Sequence, residues 1–185
     1  MKIPNSEKKK ALFIVDVQNI FLTKKNEYII SNIEKLIQNT KYELYVNAVF
    51  YADKNSIWAR QTQWTVPKKK AKSHPRIIKA LKNLTPIEIV KQSKSCFKGD
   101  EVDSSDILYT LFKHDINEIH IVGLDTNDCV LATAYEAFDY EFSTYVIEEC
   151  TQSSSGKSIH EAGLKLLRHV NLTNNSCLEK KFIKI

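Results

Sequence analysis

Cys129 stands in the stretch VGLDTNDCVLATAYEAFDY (residues 122–140), between an apolar run that ends in glycine and a segment with helical periodicity. A buried cysteine is ordinarily a small apolar residue, but Thr126, Asn127 and Asp128 are types that favour helix N-caps. The order predicts Cys129 in a first helical turn, capped by Thr126 or Asn127, where unpaired N–H groups point outward and a thiol can ionise. Asp16 and Lys91 close two other apolar runs, KALFIVDV and PIEIVK. A thiol is mostly protonated at neutral pH, so attack on carbon needs a base. A carboxylate supplies one, and an ammonium keeps that carboxylate ionised and holds a thiolate. Lys94 and Lys98 compete with Lys91 for the amine; Lys91 is preferred because it directly follows the apolar run.

These three residues are useful to one another only if the chain brings them together. Five short runs read as strands: KALFIVDV, ELYVNAVFY, PIEIVK, EIHIVG and FSTYVIEE. Most are nearly continuous in Val, Ile, Tyr or Phe, as strands of a parallel sheet buried on both faces should be. Helical patterns fall between them at about 27–40, 75–83, 104–114, 127–139 and 157–169, an alternation that specifies an α/β fold with helices on both faces of the sheet. In a parallel sheet Asp16, Lys91 and the turn before Cys129 leave at one edge, where open α/β sheets bind their ligands. The irregular polar stretch 51–74, with Trp58 and Trp64, follows the second strand directly and reads as a pocket lid. No GxGxxG or GxxxxGK loop is present, which removes the commonest nucleotide-binding readings of such a fold.

Composition narrows the class further. The 185 residues, 43% hydrophobic and 26% charged, suit a single domain spanning 1–185. The net charge of +5 comes with lysine clusters at 8–10 and 68–72; without a nucleic-acid motif these read as solvated surface, and no nucleic-acid partner is expected. The apolar run ALFIV is too short for a signal-peptide core or a membrane span, so a cytoplasmic location without membrane association is expected. Four cysteines, Cys96, Cys129, Cys150 and Cys177, show no CxxC and no metal-like spacing with histidine, and free thiols in a reducing compartment follow.

Three segments, FIVDVQNIF (13–21), IVKQSKSCF (89–97) and VGLDTNDCVLATAYEAFD (122–139), resemble in order and context the signature segments of the isochorismatase-like cysteine hydrolases, which include the nicotinamidases. The resemblance runs from about residue 10 to residue 170. It implies a Rossmann-like three-layer α/β/α fold with a mostly parallel sheet of about six strands. It also implies a catalytic triad of Asp16, Lys91 and Cys129, and a reaction in which the cysteine attacks a small-molecule amide or ureido carbonyl, an amine leaves, and water hydrolyses the thioester. The backbone N–H groups of Asp125 and Cys129 map onto the oxyanion donors, with a cis peptide at Leu124–Asp125 turning the first one inward. Gln18 and Asn19 map onto the turn after the first strand, and Phe21 and, by its place in the lid, Trp64 onto pocket walls. His160, in SIHEAG, also falls on a family-like segment and reads as a helix-surface residue. Cys96, Cys150 and Cys177 read as structural. Relatives of this kind are often dimers or tetramers, so the resemblance implies a homo-oligomer.

Two departures from the pattern bear on the substrate. Nicotinamidases hold a divalent metal with an Asp and several His after the second strand. Here Asp53 falls near that Asp, but Asn55 and Pro67 stand where histidines would be, a donor set too poor for a transition metal. No catalytic metal or other cofactor is expected, and nicotinamidase activity is the weaker alternative, beside a non-catalytic binding module on the same fold. The other departure is Asp125, acidic where a small apolar residue is common. Its side chain either turns away from the pocket or favours a cationic or hydrogen-bond-donating substrate.

Overall fold

A computed structural model of the protein describes residues 8–98 and 104–176. Strands and helices alternate: β1 (Lys10–Val15), α1 (Tyr28–Asn39), β2 (Leu44–Phe50), α2 (Ile57–Thr62), α3 (Pro75–Leu81), β3 (Ile87–Lys91), α4 (Ser104–Lys113), β4 (Glu118–Gly123), α5 (Cys129–Asp139), β5 (Ser143–Thr151) and α6 (Lys157–His169). All strand pairs are parallel, in the order β3-β2-β1-β4-β5. Where about six strands are expected, five form among the described residues. The sixth place, outside β5, is reduced to a single parallel bridge between Val146 and Thr173, fixed by the Val146 N–H on the Leu172 carbonyl (2.8 Å) and the Asn174 N–H on the Val146 carbonyl (3.1 Å).

Side-chain alternation along β1 divides the core in two. Ala11, Phe13 and Val15 pack with Ile107 and Leu111 of α4, Val130, Ala134 and Ala137 of α5 and Leu167 of α6. Leu12 and Ile14 face the other way, against Ile29, Ile33 and Leu36 of α1 and Ile77 and Leu81 of α3. Burying each large aliphatic or aromatic side chain stabilises the fold by about 1.5–3 kcal/mol relative to exposure. Both faces of β1 are therefore covered, which is why its run ALFIV holds no polar residue; β4 is covered as well and keeps Glu118 and His120 buried, with His120 Nε2 2.8 Å from Glu118 Oε1. No helix among the described residues is long and apolar enough to cross a membrane.

The stretch 51–74 is less irregular than its sequence suggests. It holds α2, which starts at Ser56 with the hydroxyl accepting from the Ala59 N–H (3.1 Å), and a short 3-10 turn at Lys68–Lys70. An antiparallel bridge between Ala52 and Val66 closes it into a compact excursion.

Candidate active site

Because the order of strands turns back at β1, the chain leaves β1 and β4 in opposite lateral directions and opens a crevice between their carboxyl ends. Gly123 makes the closest approach there. Its φ is +114°, and a Cβ would lie 2.0 Å from the Val15 carbonyl oxygen, so no other residue fits. Asp16, next along β1, takes a left-handed conformation (φ 51°) that Asp tolerates better than most residues. Gln18 fixes the turn that follows by mimicking a strand: its Oε1 accepts from the Phe50 N–H (2.6 Å) and its Nε2 donates to the Phe50 carbonyl (3.0 Å). Asn19 contributes no such bond: it is exposed, and among the described residues its side chain makes no hydrogen bond.

Lys91, at the end of β3, reaches over the end of β2, with Nζ 5.3 Å from the Phe50 ring centroid, and donates to Asp16 Oδ2 at 2.7 Å. Both side chains are buried. Lys94 takes no part in this pair; it is bound to Asp128 and lies 3.5 Å above the Trp58 ring, while Lys98 is exposed. Cys129 is the first residue of α5. Asp128 precedes it as the N-cap with no side-chain cap bond, so neither Thr126 nor Asn127 caps the helix. Both face β5 and α6 instead.

Asp16, Cys129 and Asp125 line one cavity of about 500 Å3. Asp16 Oδ1 is buried with no hydrogen-bond partner, yet the Asp16 carboxyl and the Cys129 thiol are close enough for each to shift the other's pKa. Burial raises Asp16, against the pull of the Lys91 ammonium. Burial would lower Lys91, but Asp16 above all, then the Cys129 and Cys96 sulfurs, outweighs it and holds the amine charged. Burial, with Asp16 adding to it, lifts the Cys129 thiol well above its usual range in spite of Lys91. One buried ammonium thus faces two acids, and the stronger acid, Asp16, carries the negative charge. Burial and the neighbouring carboxylate thus oppose the ionisation that a helix start favours, and the Cys129 thiol needs a base, as its residue type alone implies.

The Leu124–Asp125 peptide is cis. Among the described residues neither the Asp125 nor the Cys129 N–H donates a backbone hydrogen bond, and both residues line the same cavity. The question of Asp125 is answered by its partners. Its carboxylate accepts from the Ser154 N–H (2.7 Å) and Oγ–H (2.6 Å), which ties the turn after β4 to the turn after β5; burial raises its pKa against these donors. Further bonds join the same two turns: Thr126 N–H to the Gln152 carbonyl (3.0 Å), and Ser153 Oγ–H to Asn127 Oδ1 (2.7 Å).

Phe21 and Trp64 both line the cavity, and Phe50 and Trp58 complete a closed circuit with them. Ring centroids are 5.9 Å apart for Phe21–Trp64, 6.0 Å for Trp58–Trp64, 5.5 Å for Phe50–Trp58 and 6.4 Å for Phe21–Phe50. Phe50 is a strand residue whose role shows only once Lys91 crosses it, and Trp58 carried a signal in the Ser56 cap. A larger hollow of about 700 Å3 along the outer side of β5, lined by Phe138, Phe142 and Tyr145 among others, is more open and touches none of these groups.

His160 is not a helix-surface residue. It is buried, with Nδ1 2.7 Å from Thr126 Oγ1, because the turns after β4 and β5 fold over the start of α6. Cys96 and Cys150 are buried free thiols, pushed up to about 11 and about 12 by burial. Cys177 lies outside the described residues.

The Isochorismatase domain family matches residues 10–175. The chain belongs to this family. Among solved structures, an isochorismatase-like hydrolase from Alkaliphilus metalliredigens shares 22% identity at a TM-score of 0.70, over 89% of this chain and 92% of the other. The L. infantum protein PnC1, solved in complex with nicotinate, shares 19% identity at 0.73, over 94% and 95%. The pyrazinamidase of Pyrococcus horikoshii, solved in complex with zinc, shares 19% identity at 0.68, over 89% and 97%. No curated protein sequence matches the chain. The residues here do not fit a metal of that kind. Asp53 is exposed and its Oδ1 accepts from the Asn55 N–H (2.7 Å); Asn55 and Pro67 offer no imidazole; and no cluster of three or more His, Cys, Asp or Glu suited to a metal occurs among the described residues.

Proposed function

We propose that the protein is a metal-independent cysteine hydrolase that cleaves a C–N bond in a small amide or ureido compound. The observation that carries this reading is Asp16: one oxygen is held by Lys91, the other is buried and unpartnered, and the same cavity is lined by Cys129 and Asp125, whose N–H groups donate no backbone hydrogen bond among the described residues. Because the thiol rests protonated, attack and proton transfer go together. Sulfur bonds to the carbonyl carbon as its proton passes to Asp16 Oδ1, and the Asp125 and Cys129 N–H groups take the charge that gathers on oxygen. One such donor is typically worth ~10²–10³ in rate. The C–N bond then breaks, and Asp16 returns the proton to the departing nitrogen. Water, deprotonated by Asp16, attacks the thioester; the C–S bond breaks, and the proton returns to sulfur. Lys91 stays charged throughout and keeps Asp16 a carboxylate between proton transfers.

The aromatic circuit of Phe21, Phe50, Trp58 and Trp64 suits a planar substrate, and the nicotinate-bound L. infantum neighbour gives nicotinamide a place as a second candidate. Intact-mass spectrometry after incubation with a panel of small amides, nicotinamide included, tests both. The expected result is an acyl adduct on the wild type that is absent from Cys129→Ala. No adduct and no turnover across the panel would leave the fold as a binding module and refute the reaction. Ammonia release from nicotinamide that a chelator abolishes would overturn the metal-independent assignment.

A further inference from the structure

Behind the turn that carries the Asp125 N–H lies a chain of buried polar groups that the reaction does not touch. Thr126 Oγ1 is 2.7 Å from His160 Nδ1 and 2.9 Å from Thr151 Oγ1, and Thr151 Oγ1 donates to the Gly123 carbonyl at 2.9 Å. Three hydrogen bonds need three protons. A carbonyl only accepts, so the Thr151 proton goes to Gly123; the Thr126 proton must then go to Thr151, and the third must come from the imidazole. Thr126 and Thr151 are fully buried, where one bond left unmade costs about 1–3 kcal/mol. The alternative, His160 accepting from Thr126, leaves two hydroxyl oxygens facing each other with no proton between them.

A second contact on the same helix supports the arrangement. At Gly163 a Cβ would lie 2.9 Å from both the Cα and the N of Asn127, so the backbone of α6 rests directly on the turn that His160 reaches. We infer that His160, fixed as the Nδ1–H tautomer, is a positioning residue: through Thr126 and Thr151 it anchors α6 to the Gly123 carbonyl and sets the turn that presents the Asp125 N–H. The role in turnover rests on the hydrolase reading above; the anchoring does not. Protonation of the ring leaves the chain intact, since the added proton goes to Nε2, which has no hydrogen-bond partner among the described residues.

The test uses the full-length protein labelled with 15N-histidine, with the His160 signals assigned by their absence from His160→Asn. Two-bond 1H–15N correlation is expected to show a pyrrole-type Nδ1 and a pyridine-type Nε2. Thr151→Val deletes the acceptor for the Thr126 proton, which then turns to Nδ1, so this variant is expected to invert the tautomer. An Nε2–H tautomer in the wild type, or the same tautomer in both proteins, overturns the inference. Amide exchange at Thr126 is expected to accelerate in His160→Leu and to return toward wild type in His160→Asn, whose amide places a donor near Nδ1; unchanged exchange in His160→Leu also overturns it. With an amide that the wild type hydrolyses, His160→Leu is expected to lower kcat by about 10- to 100-fold, less than or equal to the loss of a whole donor, with KM within about 2-fold. A loss confined to KM, or equal losses in the Leu and Asn variants, refutes the positioning role. If the wild type hydrolyses nothing, the hydrolase reading falls, and the tautomer and exchange results still decide the anchoring.

Discussion

Replacing Lys91 by Met preserves most of the side chain's volume and removes one charge. In the wild type the ammonium sits 2.7 Å from Asp16 Oδ2, with both side chains at or below 2% exposure. Its loss leaves a carboxylate buried beside apolar rings with no counter-charge. Removing one partner of such a pair costs about 3–5 kcal/mol, a large share of the roughly 5–15 kcal/mol that holds a domain folded. The pH dependence has a definite sign. Burial already raises Asp16 above its unfolded value, and an acid raised on folding contributes stability below its unfolded pKa and loses it as pH rises through the folded pKa. Without Lys91 the rise is larger, so the deficit of Lys91→Met is smallest at the acid end of the accessible range, where the variant's Asp16 gains its proton, and grows toward pH 8. Urea unfolding followed by the fluorescence of Trp58 and Trp64 measures it at both ends. Adding Asp16→Asn removes the orphaned charge and is expected to recover about half or more of the loss at pH 8. A deficit under about 1 kcal/mol, or one that neither varies with pH nor responds to Asp16→Asn, would refute the reasoning.

Three further outcomes are expected. In a Cys177→Ser background, iodoacetamide modifies Cys129 before Cys96 and Cys150, because all three thiols are raised but Cys129 lines the cavity and keeps 7% of its surface exposed where the other two keep none; the rate keeps rising with pH through 9, and peptide mapping of timed samples checks both points. Gly123→Ala drives a methyl group onto the Val15 carbonyl and is expected to lose several kcal/mol or fail to fold, seen as a collapse of the thermal midpoint. A chelator such as EDTA leaves turnover of the preferred amide unchanged, measured by ammonia release, because Asp53 and Asn55 serve their own turn.

Strand β1 is legible because it is buried on both faces and says so in the unbroken run ALFIV, and β2 and β4 stay legible through their Val, Ile, Tyr and Phe residues despite Asn47 and His120. Helices α1, α3, α4, α5 and α6 begin or end within about two residues of their expected bounds, the ordinary uncertainty of fraying ends. Asp16, Lys91 and Cys129 were visible as strand-end and helix-start residues. Other parts were hidden for a common reason: their partners are distant in sequence. Asp128 looked like one cap among three, but Lys94 claims its carboxylate. His160 sits in the first turn of a helix, where solvent is the default, and only the loops around Thr126 and Thr151 bury it. The need for a base at Cys129 follows from the thiol itself, whereas the burial that raises its pKa further is a tertiary effect that no local pattern carries.

Two of the four rings that wall the cavity belong to a different length of polypeptide from the sulfur. Trp58 and Trp64 hang on the excursion closed by the Ala52–Val66 bridge, whereas the sulfur follows β4. Substitutions at these two rings therefore reshape part of the cavity wall without altering the backbone that carries Cys129, which on the hydrolase reading gives one scaffold a route to new diets.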